Sequence, residues 1–363
     1  MTWHRGAASP ASAHPAENAA GETGFALVLT LIVIVALSLL TEMMTRWVST
    51  ALVHATAQRD EVVAKAEMAD AEAAALYVLA TRPTSLRGVE LLTTKQLSAP
   101  PPPAPLVLAQ RAESYLHLDD RPYRLGTVTL RFQDARGLIN LNWSNEADLY
   151  LLLGSLGVPG RDRGPLIAKL QDYVDADTLL NLNGAETKEY EAAGREPPAN
   201  APLRTPWEVR RILDWDKIEG IAGDDTTWPL LTTTEPIAGF NLNTAPPELL
   251  ALIPGMTPEL VAKVLRWRNE NAFSTEWELR MVTGLPFPDD PLRNLYFPAS
   301  SLILTVSSER WPLERRIAVR RTPKSRVQPW IIDYSVDAPP ARRGGAPPRV
   351  DDFPDVALLS SAP

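Results

Sequence analysis

The sequence predicts an α+β protein: one long N-terminal helix, an antiparallel sheet, and a large all-α block inserted into that sheet. Three observations predict it. No Pro or Gly interrupts the chain from Phe25 to Arg82, segments of alternating polarity stand on both sides of residues 135–300, and that middle stretch echoes itself in Leu-rich helical patterns. With 363 residues and 45% apolar content, the chain can bury one large core or two modest ones.

The first element is the helix, residues 25–82. Phe25–Thr41 is free of charge and is followed by Glu42 and Arg46. At about 1.5 Å per residue, such a stretch reaches the lower limit for crossing a bilayer core. A removable secretory signal would end in a small-residue site and a turn. Here Thr41–Leu79 runs on in good helix formers, with apolar residues at Val48, Leu52, Val62, Leu76 and Leu79. One continuous helix of about 55 residues, about 80 Å long, is expected.

Residues 83–134 and 301–336 supply the sheet. A loop through Arg82–Gly88 and the prolines Pro100–Pro103 and Pro105 leads to Thr127–Phe132, whose alternation reads as a half-buried strand. Tyr115–Leu118 is expected to pair with it across a turn at Asp119–Pro122. Leu302–Val306, Arg316–Arg320 and Trp330–Tyr334 are further strands. The basic run Arg310, Arg315, Arg316, Arg320, Arg321, Lys324 and Arg326 reads as the wet face of a strand, because Ile317 and Val319 interrupt it. Residues 337–363, rich in Pro, Gly and Ala with paired arginines, are expected to be disordered.

Within 135–300, Gly137-Leu138-Ile139-Asn140-Leu141-Asn142 recurs as Gly239-Phe240-Asn241-Leu242-Asn243. After the second copy, Thr244-Ala245-Pro246-Pro247-Glu248 opens a helix whose apolar face is Leu249, Leu250, Leu252 and Ile253. Pro254–Gly255 turns the chain, and Thr257-Pro258-Glu259 caps another helix with Val261, Val264, Leu265 and Trp267 facing a core. Over about 45 residues this resembles the helix-hairpin-helix or SAM-like module. The module serves DNA binding in some proteins, but here the second glycine of the hairpin is Thr257. Residues 239–284 carry four cations against five acids, and residues 137–198 carry five against ten.

Between the two echoes, Asp175, Asp177, Asn181, Asn183 and Glu186 occupy positions one, three, seven, nine and twelve of a calcium-loop spacing, with Leu179 fifth and Leu180 where such loops place glycine. The spacing alone fits either a cation loop or a solvated acidic loop. Asp224–Asp225 and Asp289–Asp290 are further acidic pairs.

Composition excludes much. There is no cysteine, and the four histidines are His4, His14, His54 and His117, so nothing beyond residue 117 can act as an imidazole base. No phosphate-cradling glycine loop or nucleophile elbow is present. Neither catalysis nor a small-molecule substrate is expected.

The Gly24–Phe25 junction ahead of the unbroken helix resembles type IV pilins and pseudopilins. The resemblance implies a pilin-like fold with leader 1–24, cut by prepilin peptidase between Gly24 and Phe25, and methylation of the new N-terminus. Two positions depart from the common pilin pattern: Leu29 replaces a glutamate five residues into the mature chain, and Arg5 is the sole Lys or Arg of the leader. A missing glutamate suits the subunit that starts a filament, a habit of the K class. Asp175, Asp177, Gly184, Ala185 and Glu186 also match the Asp-x-Asp…Gly-Ala-Glu pattern of that class. The order of these parts over residues 24–335 resembles the minor pseudopilins of the K class (GspK family) of type II secretion. That resemblance implies a structural calcium ion held by Asp175, Asp177 and Glu186, with Asn183. It implies partnership with minor pseudopilins of the I and J classes in the pseudopilus, with prepilin peptidase and with the inner membrane of a Gram-negative cell, the bulk of the chain being periplasmic. It implies no nucleic acid. The rival reading is a membrane-anchored helix-hairpin-helix DNA receptor.

Overall fold

The computed structural model describes residues 19–92, 96, 114–143, 145–223, 227–287, 295–344 and 349–354. Most of the expected leader, the prolines Pro100–Pro105, and the pairs Asp224–Asp225 and Asp289–Asp290 lie outside the described residues. The chain divides into two units, residues 1–62 and 63–363. Helix α1, Ala19–Thr81, contributes to both.

In the first unit every residue from Phe25 to Asp60 is exposed. An uncovered apolar surface of that size is unfavourable in water and natural in lipid. Among the described residues this is one helix long and apolar enough to cross a membrane, compatible with single-pass anchoring. Its hydroxyls are satisfied internally: Thr30 donates to the Leu27 carbonyl, Ser38 to Ile34 and Thr41 to Leu37, each at 2.8 Å.

The second unit begins with the amphipathic end of α1, where Ala64, Met68, Ala71, Ala75 and Val78 are buried at alternating spacings of four and three. A small antiparallel trio follows: β1 Thr84–Ser85, β2 Gly88–Glu90 and β3 Tyr115–Leu116. Gly88 has no alternative there, because a Cβ would stand 2.2 Å from the Leu116 carbonyl oxygen. Next comes the hairpin β4 Asp119–Leu125 and β5 Val128–Asp134. The helical block then holds β6 Ile139–Asn140, α2 Glu146–Ser155, α3 Gly160–Val174, α4 Thr187–Ala192, α5 Glu219–Ala222, α6 Trp228–Leu231, β7 Thr232–Thr233, α7 Pro247–Leu250, α8 Pro258–Glu270 and α9 Glu276–Thr283. The chain closes with β8 Ser301–Ser308, β9 Glu314–Arg321, β10 Trp330–Ala338 and β11 Asp351–Asp352.

Six strands form the main sheet in the order β10-β9-β8-β5-β4-β11, antiparallel except for β11 beside β4. β5 and β8 are direct neighbours, with Val128 opposite Ser308 and Asp134 opposite Leu302. The whole stretch 135–300 therefore leaves and re-enters the sheet between adjacent strands. Leu130, Phe132, Leu304, Val306, Ile317 and Val319 pack with Met68, Ala71, Ala75 and Val78 of α1. The helical block has two cores of its own, one around Leu152, Ile212, Trp215 and Trp228, the other around Leu250, Val264, Phe273 and Leu279.

Four expectations need correction. Tyr115–Leu118 is not the hairpin partner of β5. Asp119–Leu125 is, because a register shift between Asp119 and Pro122, with Asp120 at φ 61°, absorbs the proline inside the strand and moves the turn to Gly126. The block is not all-α, since β6 and β7 pair in parallel, Ile139 with Thr232 and Asn140 with Thr233. The tail is ordered over 337–344 and 349–354: Phe353 stacks on Phe132 with ring centroids 6.0 Å apart, and Arg343 reaches Glu314 at 3.1 Å and Asp120 at 3.0 Å. Composition hides this, since one aromatic, one arginine and the two-residue strand β11 do the holding. Finally, the β9 arginines are not a wet face. Arg316 is buried and donates to the Pro229 carbonyl, while Arg315 pairs with Asp337 and Arg320 with Asp333; in the turn ahead of the strand, Arg310 pairs with Glu67.

Two carboxylates govern how the helical block meets the sheet. Asp134, fully buried at the end of β5, accepts from Ala299 N (2.8 Å) and Arg136 N (3.2 Å) on one oxygen and from Asn241 Nδ2 (2.9 Å) and Thr244 Oγ1 (2.7 Å) on the other. Glu235, buried just after β7, faces Asp333 in β10, at the register shift between Ile332 and Tyr334. Desolvation first and the Asp333 charge second push the Glu235 carboxyl well above the usual carboxylate range, with Arg320 offsetting part.

Replacing Asp134→Ala leaves buried donors without an acceptor, and chemical denaturation should register a loss of at least about 3 kcal/mol. For Glu235 the folded pKa lies above the unfolded value of 4.5, so its contribution is complete at low pH and is lost as pH climbs through the raised value. The melting temperature should accordingly fall between pH 5.5 and pH 8. Glu235→Gln, which keeps the shape without the charge, should narrow that gap by about 2–4 °C.

Candidate functional site

The acidic loop begins where α3 ends. The last turn of α3 places Asp172 inside the protein, fully buried, and its carboxylate organises the turn beyond it: Oδ1 accepts from the backbone N–H and the side-chain amide of Asn181, and Oδ2 accepts from Ala185 N at 2.8 Å. The Asn181 carbonyl in turn accepts from Gly184 N at 2.9 Å. Gly184 is required by space, since a Cβ there would stand 1.9 Å from Asp172 Oδ2. Asn183 precedes it in the left-handed region at φ 64°. Asp177 Oδ1 accepts from Leu179 N at 2.8 Å, and Asn200 Nδ2 donates to the Asp177 carbonyl at 2.7 Å.

Glu186 stands at the N-cap of α4, and Glu189 reaches back to accept from its N–H at 2.9 Å. The Glu186 side chain is only 7% exposed. It leans toward the first-turn N–H groups, yet neither carboxylate oxygen makes a hydrogen bond of normal geometry. Asp175 Oδ1 is likewise shielded without a donor. Burial first, then repulsion from Asp172, Asp175 and Asp177, raises the Glu186 carboxyl; burial and the charges of Asp177 and Asp172 raise Asp175. Asp175 and Glu186 thus hold shielded carboxylate oxygens in a cluster that repels itself, with the Thr187 N–H offsetting part of the cost at Glu186, and hard cations favour oxygen donors of this kind.

Of the residues named from sequence, Asp175 and Glu186 thus supply orphaned oxygens. Asp177 has one oxygen engaged with the backbone, and Asn183 is exposed. Among the described residues no three His, Cys, Asp or Glu side chains are gathered closely enough to ligate an ion as they stand. Sequence reasoning missed the part played by Asp172, three residues before the spacing count began. The Gly24–Phe25 junction lies within α1, with Phe25 exposed.

The echoed Asn-x-Asn motif proves to be a pair of clamps. In the first, Asn140 Oδ1 accepts from Asn142 N, while Asn142 grips Leu203 through both its N–H (2.8 Å) and its carbonyl (3.1 Å) and also donates to Thr234 O. In the second, Asn241 Oδ1 accepts from Asn243 N, and Asn243 grips Phe273 through its N–H (2.8 Å) and carbonyl (2.9 Å) and donates to Tyr296 O. Each clamp holds one of the two helical cores. A cavity of about 540 Å³ lies between them, lined by Trp143, Leu151, Phe240, Leu252, Ile253 and Phe287 among others. In the hairpin half, Arg268 is buried and donates to the Ala245 carbonyl at 2.6 Å, and Arg280 is paired with Glu276. Arg268 is thereby engaged inside the protein, and the half-exposed Arg280 is neutralised by Glu276.

The family model described as "Type II secretion system (T2SS), protein K" matches residues 139–219, from β6 through the acidic loop to the start of α5. No curated protein matches the chain. Among solved structures, a chain from the crystal structure of the GspK-GspI-GspJ complex of the enterotoxigenic Escherichia coli type 2 secretion system aligns at 18% identity with a TM-score of 0.47, over 77% of this chain and 97% of that one.

Proposed function

We propose that this chain, a member of the type II secretion system protein K family through residues 139–219, is a non-enzymatic minor pseudopilin that works at the tip of the pseudopilus during export of folded proteins. The observation that carries the reading is the order of parts: an exposed apolar helix, then a sheet, then a protein K segment lodged between two neighbouring strands of that sheet. In this reading the architecture is pilin-like with a SAM-like insertion. Prepilin peptidase removes the leader after Gly24, and the Phe25 helix spans the inner membrane and packs sideways against minor pseudopilins of the I and J classes. The insertion, standing off the sheet between β5 and β8, is too bulky to stack inside a regular filament, which supports a single copy at the end. Leu29 fits that position, since a first subunit has no earlier N-terminus to neutralise.

Calcium belongs to the same reading. Asp175 and Glu186, with Asp177 and Asn183, would hold it, and the donorless oxygens of Asp175 and Glu186 are what support this. The bound ion would supply positive charge that offsets the repulsion among these carboxylates and fixes the loop. Asp172 and Gly184 do the positioning, by holding Asn181 and Ala185 around that space.

N-terminal sequencing of the chain recovered from membranes should give N-methylated Phe25; any other start would remove the pilin assignment. Calorimetric titration of the full chain with calcium should show binding that Glu186→Gln weakens at least about tenfold, since the variant removes a charged ligand. The same binding should weaken as pH falls from 7 to 5, because protonation of the raised Asp175 and Glu186 carboxyls competes with the ion.

A further inference from the structure

Three cations of the basic run keep no acidic company. Arg310, Arg315, Arg316 and Arg320 are engaged as described above, but among the described residues no carboxylate stands within ion-pair distance of Arg321, Lys324 or Arg326. Arg321 is the half-buried one of the three. Its Nη1 is bonded to Thr84 Oγ1 and its Nη2 donates to the Ala299 carbonyl at 3.3 Å, while Nε is shielded and has no acceptor. Burial pulls this guanidinium below its ordinary range, and the charge of Asp134 offsets part of that. The Asp134 oxygens, however, are already taken up by four uncharged donors.

Arg321 lines a pocket of about 280 Å³ together with the buried Arg82, Ser300, Pro83, Pro323 and Pro329. Ser300, Pro323 and Pro329 are exposed, so the pocket reaches the surface. Its walls are stiff. The prolines have fixed φ, and the loop between β9 and β10 is braced: Thr322 N donates to the Pro329 carbonyl at 2.8 Å, the Thr322 hydroxyl to Gln328 O at 2.7 Å, and Ser325 N to Thr322 O at 2.9 Å. Lys324 and Arg326, both exposed, ride on that loop between two of the lining prolines. A shielded guanidinium with an unfilled donor, a second guanidinium in the same wall and two cations on the adjoining loop attract anions.

We propose that this pocket seats an acidic segment of a partner protein, with one Asp or Glu carboxylate entering to meet Arg321 while neighbouring acids face Lys324 and Arg326. Size and charge select this occupant. The pocket leaves room for one side chain. The whole chain carries a net charge of −8, and electrostatic reach at physiological salt is only about 8 Å. A short acidic segment stays within reach of these cations, whereas a long polyanion such as nucleic acid runs onto an acidic protein. The site is independent of the pilin and calcium readings, and its failure leaves both where they stand.

Fluorescein-labelled hexaglutamate is titrated with the full chain in nonionic detergent and followed by anisotropy, with hexaglutamine as control. Hexaglutamate should bind and hexaglutamine should not, and the binding should weaken as added salt shortens the screening length from about 30 Å to about 8 Å. Arg321→Gln should weaken it at least about tenfold, and the exposed Arg326→Gln only about twofold. Because Arg321→Gln also gives up the contacts to Thr84 and Ala299, Ser300→Glu serves as the second variant. It sets a carboxylate at the exposed rim, keeps the Arg321 contacts, and should block hexaglutamate without lowering the melting temperature. Unchanged hexaglutamate binding in Ser300→Glu overturns the site. Tighter binding of an oligothymidylate or of inorganic phosphate than of hexaglutamate overturns the acidic segment as its occupant.

Discussion

A single buried carboxylate sets the relation between the two halves of the second unit. Asp134 closes β5, and its two oxygens collect donors from the entry of the helical block (Arg136), from its second half (Asn241 and Thr244) and from its exit (Ala299). Taking such a group out of water costs several kcal/mol, and burial pushes its pKa up against the pull of those donors. The arrangement is favourable only when all four donors arrive together. A block of this length could leave a sheet in many directions; the need to satisfy one buried anion selects among them.

The same economy of polar groups recurs inside the block. Each Asn-x-Asn motif uses its first asparagine to set a tight turn and its second to hold both backbone groups of a distant residue, Leu203 in one case and Phe273 in the other. Short helices such as α4 and α7 are too brief to be stable alone. Clamping their connecting segments to a turn lets two small cores form where neither has enough helix to organise itself. Arg316, buried and bonded to the Pro229 carbonyl, ties the first of these cores to β9. Glu235 against Asp333 is the weakest of these connections, since it brings two carboxyls together with the charge of Arg320 as partial relief.

The acidic loop differs from these in being left unfinished. Asp172 is fully used by Asn181 and Ala185, so the loop has a frame, whereas Asp175 and Glu186 retain oxygens without donors. A protein that satisfies Asp134 with four donors has the means to satisfy Glu186. Leaving it short, at the rim of an exposed turn, fits a loop completed from outside.

Much of this was legible from residues alone. The unbroken helix, the strands at 128–134, 301–308, 314–321 and 330–338, the echo at Gly137 and Gly239, and the acidic spacing are all local patterns, because they depend on side-chain period, on the absence of Pro and Gly, and on neighbours a few positions apart. What escaped was decided over distance. Pro122 looked like a turn until a bulge absorbed it; the tail looked disordered until Phe353 found Phe132; Arg310 and the β9 arginines looked solvated until carboxylates on α1 and β10 met them. The sequence by itself determined which segments become helix or strand and which side chains carry charge. Only the tertiary structure decided which charges meet and which oxygens are left without a donor, since both depend on desolvation, and burial is a property of the assembled fold.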